Sequence, residues 1–272
     1  MANPMMNDKA VDEAAAAPGW GAPTVAARST VIPGIPIDDG PISGWSSSVM
    51  TARGTMTAGG VLLVLLLGAA SFGWASAPDA GQGAGGFPGM ALVAMLVGFG
   101  CAIALRFKPM MAKVLGPIYA LAQGFFLGVI SKAYNDAYQG IVVQAVGATL
   151  AVFAVMLFLY KSRIIKVTDR FRRNVIMATM GLMAFYLISI VLHLVGVKVP
   201  FIESASPLGI LFSVFAAGLA AMMLAVNFDT IERGAKAGWP KGMEWYCAFG
   251  LLATLVWLYL EILQLLAKLN RR

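Results

Sequence analysis

Three ionisable residues lie inside or at the end of apolar stretches of this chain. Glu261 lies in LYLEILQLL, Asp229 in AVNFDTIERG, and Arg106 ends the stretch CAIALRFKP. Ionisable groups at membrane depth are rare, and they usually mark proton or ion pathways. The three residues are therefore candidates for a functional site. Arg106 is equally consistent with snorkelling to lipid headgroups, and Asp229 with a carboxylate at an interfacial helix end.

The composition predicts that membrane helices position these residues. The chain has 272 residues, of which 59% are hydrophobic and 12% charged, and its mean hydropathy is +0.79. Soluble domains carry about 25% charged residues, and a transmembrane helix needs about 20 apolar residues. We therefore expect an all-α polytopic membrane protein with seven transmembrane helices. The seven apolar stretches, with Glu261 as their one charge, are 56–75, 90–105, 114–131, 141–160, 174–197, 207–228 and 245–267.

The same composition argues against several other classes of protein. Cys101 and Cys247 lie in apolar stretches, which predicts neither a disulfide framework nor a zinc site. His193 is the one histidine, and the chain has no nucleophile elbow and no HExxH motif. A retinal protein would need a lysine deep in the last helix, whereas Lys268 follows the last apolar stretch. We expect no enzyme activity and no cofactor.

Residues 1–50 differ from the remainder of the chain. They are rich in Ala, Pro, Gly and Ser and show no helical or strand periodicity, which predicts a disordered cytoplasmic tail. A docking role for this tail is the alternative. Residues 51–272 are predicted to form the transmembrane domain.

Basic residues predict the orientation of the helices. With a cytoplasmic N-terminus, the inner segments hold fifteen Lys and Arg residues and the outer segments two, Lys132 and Lys198. This bias follows the positive-inside rule, so we expect a multi-pass protein of the plasma or inner membrane. The net charge of +7 is explained by this topology, and no nucleic-acid partner is expected. After seven crossings, Lys268, Arg271 and Arg272 would fall on the outer side.

Small residues recur at every fourth position in two apolar stretches. Such faces let membrane helices approach closely, so we predict tight helix packing, with pore lining as the alternative. The third stretch carries Gly116, Ala120, Gly124 and Gly128, and the sixth carries Gly209, Ser213, Ala217 and Ala221.

Three motifs together resemble the Bax inhibitor-1 (transmembrane Bax inhibitor motif) family, in particular its bacterial YccA/YetJ-type members. They are YALAQGFFLGVIS in the third stretch, FDTIERG at the end of the sixth and LYLEILQLL in the seventh. The resemblance covers residues 56–272 and leaves out the tail. It implies a seven-helix bundle whose last helix is central, and a pH-sensitive calcium leak channel of the membrane.

The resemblance also implies roles for the three ionisable residues. Asp229 and Glu261 match the acidic pair that senses pH, and Arg106 matches the arginine that latches onto that pair. Two carboxylates close together in low dielectric would share a proton, and their oxygens would make transient contacts with calcium, the permeant ion. This chain departs from the family in having Glu at the second position and a gap of 32 residues between the acids.

The long gap makes the start of the last helix decisive. In an unbroken helix from Trp245, Glu261 would lie about 24 Å along the axis and could not meet Asp229. We therefore predict that the spanning part begins after Gly250, that residues 242–250 lie along the cytoplasmic interface, and that the sixth helix continues to about Arg233.

A second function remains open from the sequence. The bundle could be a non-conducting regulator that binds another membrane protein, such as a quality-control protease, as some members of the family do. The basic loop 161–173 and the N-terminal tail are the surfaces that such a partner could contact.

Overall fold

The computed structural model of the chain describes residues 49–78, 89–194 and 206–271. These ranges lie within one compact unit, Gly44–Arg272, while the other unit, Met1–Ser43, falls outside them. The predicted tail up to residue 48, Lys198, Arg272 and the side chain of His193 therefore lie outside the described residues.

Seven α-helices account for almost all of the described chain, and each overlaps one of the seven predicted stretches. Six of them are long and apolar enough to cross a membrane; α5 is not in this set. The described ranges contain no β-strand, although one isolated bridge joins Val49 and Pro240. The helices are α1 (Ala52–Ser76), α2 (Gly89–Phe107), α3 (Ala112–Ala137), α4 (Ile141–Lys161), α5 (Asp169–Leu194), α6 (Pro207–Lys236) and α7 (Met243–Asn270), with a 3-10 turn at Pro109–Met111.

The last two helices are antiparallel, and polar contacts set their register. Asn227 of α6 donates to Thr254 Oγ1 of α7 over 2.7 Å. Fourteen residues away on each helix, Lys268 of α7 donates to Ser213 Oγ of α6 over 2.8 Å. The end of the bundle where α1 and α7 begin is called the near end below, and the end where α7 finishes the far end.

The last helix is central, as the family resemblance implies. One side of α7 packs through Phe249 against Leu62 of α1 and Tyr119 of α3, and the other through Leu258 against α4 and α6. Among its large apolar residues in the described chain, only Leu269 is exposed. The other six helices carry exposed apolar side chains, which suits contact with lipid.

The predicted interruption of the last helix at Gly250 is wrong. Helix α7 runs unbroken from Met243. Its first two turns are buried rather than interfacial, because Ala248 and Phe249 belong to the core shared with α1 and α3. The carbonyl of Gly250 accepts hydrogen bonds from Asn227 and Thr254, so this glycine is held within the helix. Helix α6 continues to Lys236, slightly beyond the predicted end.

Helices α1 and α3 pack closely through the small residues of α3. Gly116, Ala120, Gly124 and Gly128 are all buried. A Cβ atom at Gly124 or Gly128 would overlap the α1 backbone, whereas one at Gly116 would lie 3.5 Å from a side-chain carbon of Leu62. Close approach of the two backbones therefore depends on the second half of the glycine stripe.

Candidate functional site

Four residues of charged type are buried in the described chain, and all four belong to α6 or α7. Asp229, Glu244, Glu261 and Lys268 expose 8%, 6%, 4% and 5% of their surfaces. Buried charges are costly unless they are paired or hydrogen-bonded. The surroundings of each residue therefore define what the site can do.

A line of polar residues runs along the contact between α6 and α7. Thr254, Glu261 and Lys268 follow each other at intervals of seven residues on α7, which places them on one face about 10 Å apart. At its two ends this face contacts Asn227 and Ser213 of α6. These five residues are called the polar seam below.

Glu261 occupies the middle of the polar seam. Its Oε1 atom accepts hydrogen bonds from the Tyr186 hydroxyl of α5 over 2.7 Å and from Trp257 Nε1 over 2.9 Å. Its Oε2 atom is buried and has no hydrogen-bond partner among the described residues. The carboxylate can therefore still accept a proton or a cation contact on one oxygen.

Lys268 lies at the far end of the polar seam. Its ammonium group donates to Ser213 Oγ and, over 3.1 Å, to the carbonyl of Gly209 in the first turn of α6. Arg271, also near the end of α7, donates to the Tyr138 hydroxyl over 3.0 Å. Two of the three basic residues expected at an outer surface are thus held by the bundle, and Lys268 points into it.

Asp229 lies in a separate charge cluster at the near end. Its Oδ2 atom is 2.7 Å from Nε of Arg233 and 3.9 Å from Nη1 of Arg172 on α5. Arg233 also pairs with Asp169 Oδ1 over 2.9 Å and donates to the Val167 carbonyl over 3.2 Å. The cluster thereby connects the end of α6 to the start of α5.

The arginine that the resemblance places beside the acids lies elsewhere. Arg106 is exposed at the end of α2 and forms no ion pair within the described ranges. In this structure the guanidinium groups beside Asp229 come from Arg172 and Arg233. The position of the counter-charge is thus different from the one that the resemblance implies.

Asp229 and Glu261 do not form a contacting pair. The contacts of Asn227 with Thr254 and of Ser213 with Lys268 place Asp229 level with Leu252. Glu261 lies nine residues further along α7, which is about 14 Å. A calcium ion binds oxygens at about 2.3–2.6 Å, so one ion cannot contact both carboxylates in this conformation.

The third buried carboxylate, Glu244, joins the start of α7 to the start of α1 at the near end. Glu244 accepts hydrogen bonds from the amide and the hydroxyl of Thr51, each over 2.9 Å. Thr51 is the N-cap of α1, and its hydroxyl also accepts from the amide of Gly54. Beside it, the Met50 amide donates to the Trp239 carbonyl over 2.6 Å. The anion at the positive end of α1 is therefore supplied by α7.

Some residues of these sites have a recognisable signal in the sequence, and others have none. Arg233 is four residues after Asp229, a spacing that signals a helical ion pair. Glu261 and Lys268 are seven residues apart, a spacing that places them on one helical face. Tyr186 and Arg172 carry no such signal because they lie on another helix, and the partner of Glu244 lies 193 residues away.

Comparison with known proteins supports one assignment. Neither the curated proteins nor the solved structures give a match to the chain. A family model described as Bax inhibitor 1 like matches residues 3–271. This match includes most of the N-terminal segment, which the resemblance in the sequence leaves out. The chain is therefore a membrane protein that belongs to the Bax inhibitor 1 like family.

Proposed function

We propose that this protein is a pH-sensitive cation leak channel of the cell membrane, with calcium as its permeant ion and its N-terminus in the cytoplasm. The observation that carries this proposal is the polar seam between α6 and α7. A bundle that only packs would place apolar residues there. Buried ionisable residues in a membrane segment are costly and mark ion or proton pathways.

The seam offers cations a series of oxygen atoms. Thr254, Glu261 and Ser213 contribute hydroxyl and carboxylate oxygens at different depths. Calcium is a hard cation that prefers such oxygens. These groups are buried in the structure, so the proposal requires that α6 and α7 separate for conduction.

The charge cluster at Asp229 would act as the proton sensor. Two guanidinium groups act on its carboxylate, those of Arg172 on α5 and Arg233 on α6. Protonation of Asp229 would leave the two guanidinium groups without this counter-charge, and their repulsion would release α5 from α6. Acidification would then favour the open bundle, as a two-state switch requires.

Glu261 would act as a second, independent proton site. It lies too deep to join the Asp229 cluster, so the two carboxylates respond to protons separately. Protonation of Glu261 would remove the negative charge that attracts a cation to the middle of the seam. Asp229 and Glu261 would thus each bind a proton of their own rather than share one.

The test is calcium entry into liposomes that contain the purified protein, measured at pH 6 and pH 8. We expect faster entry at pH 6 than at pH 8 for the wild type, and Asp229→Asn should bring that ratio close to one. Glu261→Gln should reduce entry at both pH values. Asp136→Asn, at an exposed position near the end of α3, is the matched control and should behave as the wild type.

The absence of entry above that of empty liposomes at both pH values would overturn the proposal. The alternative would then be a non-conducting regulator that binds a membrane quality-control protease or a similar partner. Such a regulator should tolerate Glu261→Gln, whereas changes to its partner-facing surfaces should abolish its effect.

A further inference from the structure

Lys268 belongs to the polar seam, but the proposed mechanism gives it no role of its own. It is 5% exposed, and its ammonium group is bound by the Ser213 hydroxyl and the Gly209 carbonyl. We propose that Lys268 is a tethered cation that occupies the far end of the polar seam and limits cation leak. This inference rests on the proposed function, because it assigns a regulator to the same pathway.

The ligands of the ammonium group support this role. A carbonyl and a hydroxyl oxygen are ligands that a hard metal cation takes when it leaves water. Both come from α6, in the stripe Gly209 and Ser213, and both are buried. The ammonium group of Lys268 therefore occupies the two oxygen atoms that a metal cation could otherwise contact.

Burying the ammonium charge of Lys268 is costly, and the groups around it determine how much of that cost is offset. The ammonium group lies against the first turn of α6, where the helix dipole is positive. Burial itself is the largest unfavourable effect on the ammonium charge, Glu261 is the favourable neighbour, and Arg271 adds an unfavourable charge. Glu261 lies on the same face of α7, and one of its oxygens has no hydrogen-bond partner among the described residues. The negative charge of Glu261, about 10 Å away along α7, would therefore offset part of the cost of burying the ammonium group.

The position of Lys268 predicts how its charge would affect a calcium ion that enters the polar seam. A calcium ion entering from the far end would encounter the ammonium group before it reached Glu261. Charges in a confined, low-dielectric passage change association rates by about ten- to a thousandfold. We therefore expect the loss of the lysine charge to raise calcium entry by about tenfold or more.

The experiment compares four proteins in the liposome assay at neutral pH. Lys268→Met removes the charge and keeps an apolar stem, Lys268→Arg keeps the charge, and Lys113→Met removes an exposed lysine at the start of α3. We expect Lys268→Met to leak faster than the wild type, and the other two variants to match the wild type. Circular dichroism and gel filtration establish that each variant is folded.

The outcomes are distinguishable for the two proposals. A wild type that leaks, with a Lys268→Met variant that leaks equally, overturns the tethered cation and leaves the channel standing. No leak in any variant, Lys268→Met included, overturns both proposals. A wild type that leaks, with a leak that grows only in Lys268→Met, supports both.

A second measurement does not depend on flux. Thermal unfolding of Glu261→Gln, Lys268→Met and the double variant forms a double-mutant cycle. If the two charges neutralise each other, the double variant should lose less stability than the sum of the single variants. Additive losses would overturn the pairing on which the tethered cation depends. Lys268→Gln replaces Lys268→Met in both measurements if the latter does not fold.

Discussion

Asp229 and Arg233, one turn apart on α6, form an ion pair in which Nε lies 2.7 Å from Oδ2. The same guanidinium group reaches across to Asp169 and to the Val167 carbonyl at the start of α5. The protonation of one carboxylate on α6 is thereby connected to the position of a neighbouring helix. This connection makes the start of α5 the element whose movement should accompany a change of pH.

Removal of Arg172, the arginine of α5 that lies beside Asp229 of α6, should reduce the dependence of calcium entry on pH. In Arg172→Gln, one of the two positive charges that act on Asp229 is lost, so its protonation should cause less repulsion between α5 and α6. We expect a smaller ratio of calcium entry at pH 6 to that at pH 8 than in the wild type. Arg173→Gln, at the exposed neighbouring position, is the control. Equal ratios for the two variants would contradict the role of the cluster.

The position of the latch can be tested in the same assay. The resemblance predicts that Arg106 contacts the acids, whereas the structure places it at the exposed end of α2. If the described contacts govern gating, Arg106→Gln should change the ratio less than Arg172→Gln does. A larger effect of Arg106→Gln would show that the latch forms in another conformation.

The hydrogen bond from Tyr186 should stabilise the buried Glu261 carboxylate. In Tyr186→Phe, Oε1 keeps the bond from Trp257 and loses the one from the phenol. Leaving a buried acceptor short of a partner costs about 1–3 kcal/mol, so the melting temperature in detergent should fall. Tyr246→Phe, at a half-buried position on α7, should have a smaller effect. Equal melting temperatures would show that the phenol contributes nothing there.

Two glycines of α1 should respond oppositely to alanine. A Cβ at Gly54 would overlap the Glu244 carboxylate, whereas a Cβ at Gly60 has open space. Alanine is favoured over glycine within a helix by about 0.5–1 kcal/mol. We expect Gly60→Ala to keep or raise the melting temperature and Gly54→Ala to lower it. A Gly54→Ala variant as stable as Gly60→Ala would contradict the close fit of Glu244 at the start of α1.

The same comparison tests the contact between α1 and α3. At Gly128 a Cβ would overlap the backbone of α1 at Ala70, while at Gly116 it would make ordinary contact with Leu62. Gly128→Ala should therefore destabilise the protein and Gly116→Ala should be tolerated. Melting temperatures of the two purified variants measure the difference. Tolerance of both would mean that α1 and α3 can move apart at little cost.

Much of the fold follows from the sequence because membrane helices are specified by composition. Apolar stretches of about 20 residues predict spanning helices wherever they occur. A helix appears at each of the seven stretches, and six of these helices are long and apolar enough to cross a membrane. The start of α7 is harder to predict, because Gly250 and the aromatic residues before it are typical of a segment at the membrane–water interface. Its continuity depends on burial against α1 and α3, and no local pattern reports such packing.

The candidate site follows from the sequence only in part. Asp229 and Glu261 stand out because each is an acid in or beside an apolar stretch. Their separation depends on the register of α6 against α7, which Asn227 and Thr254 set through a contact between two helices. The burial of Lys268 does not follow from the sequence because a lysine near a helix end is usually exposed, although its spacing from Glu261 places both on one face.

The tie between Thr51 and Glu244 also has a consequence for assembly. Translation produces α1 first, and the chain must extend 193 residues beyond Thr51 before the carboxylate exists. During synthesis, the first turn of α1 therefore lacks the Glu244 carboxylate, which later accepts a hydrogen bond from the Thr51 amide. The bond can close only when α7 has joined the bundle, so its closure reports that the last helix has been inserted.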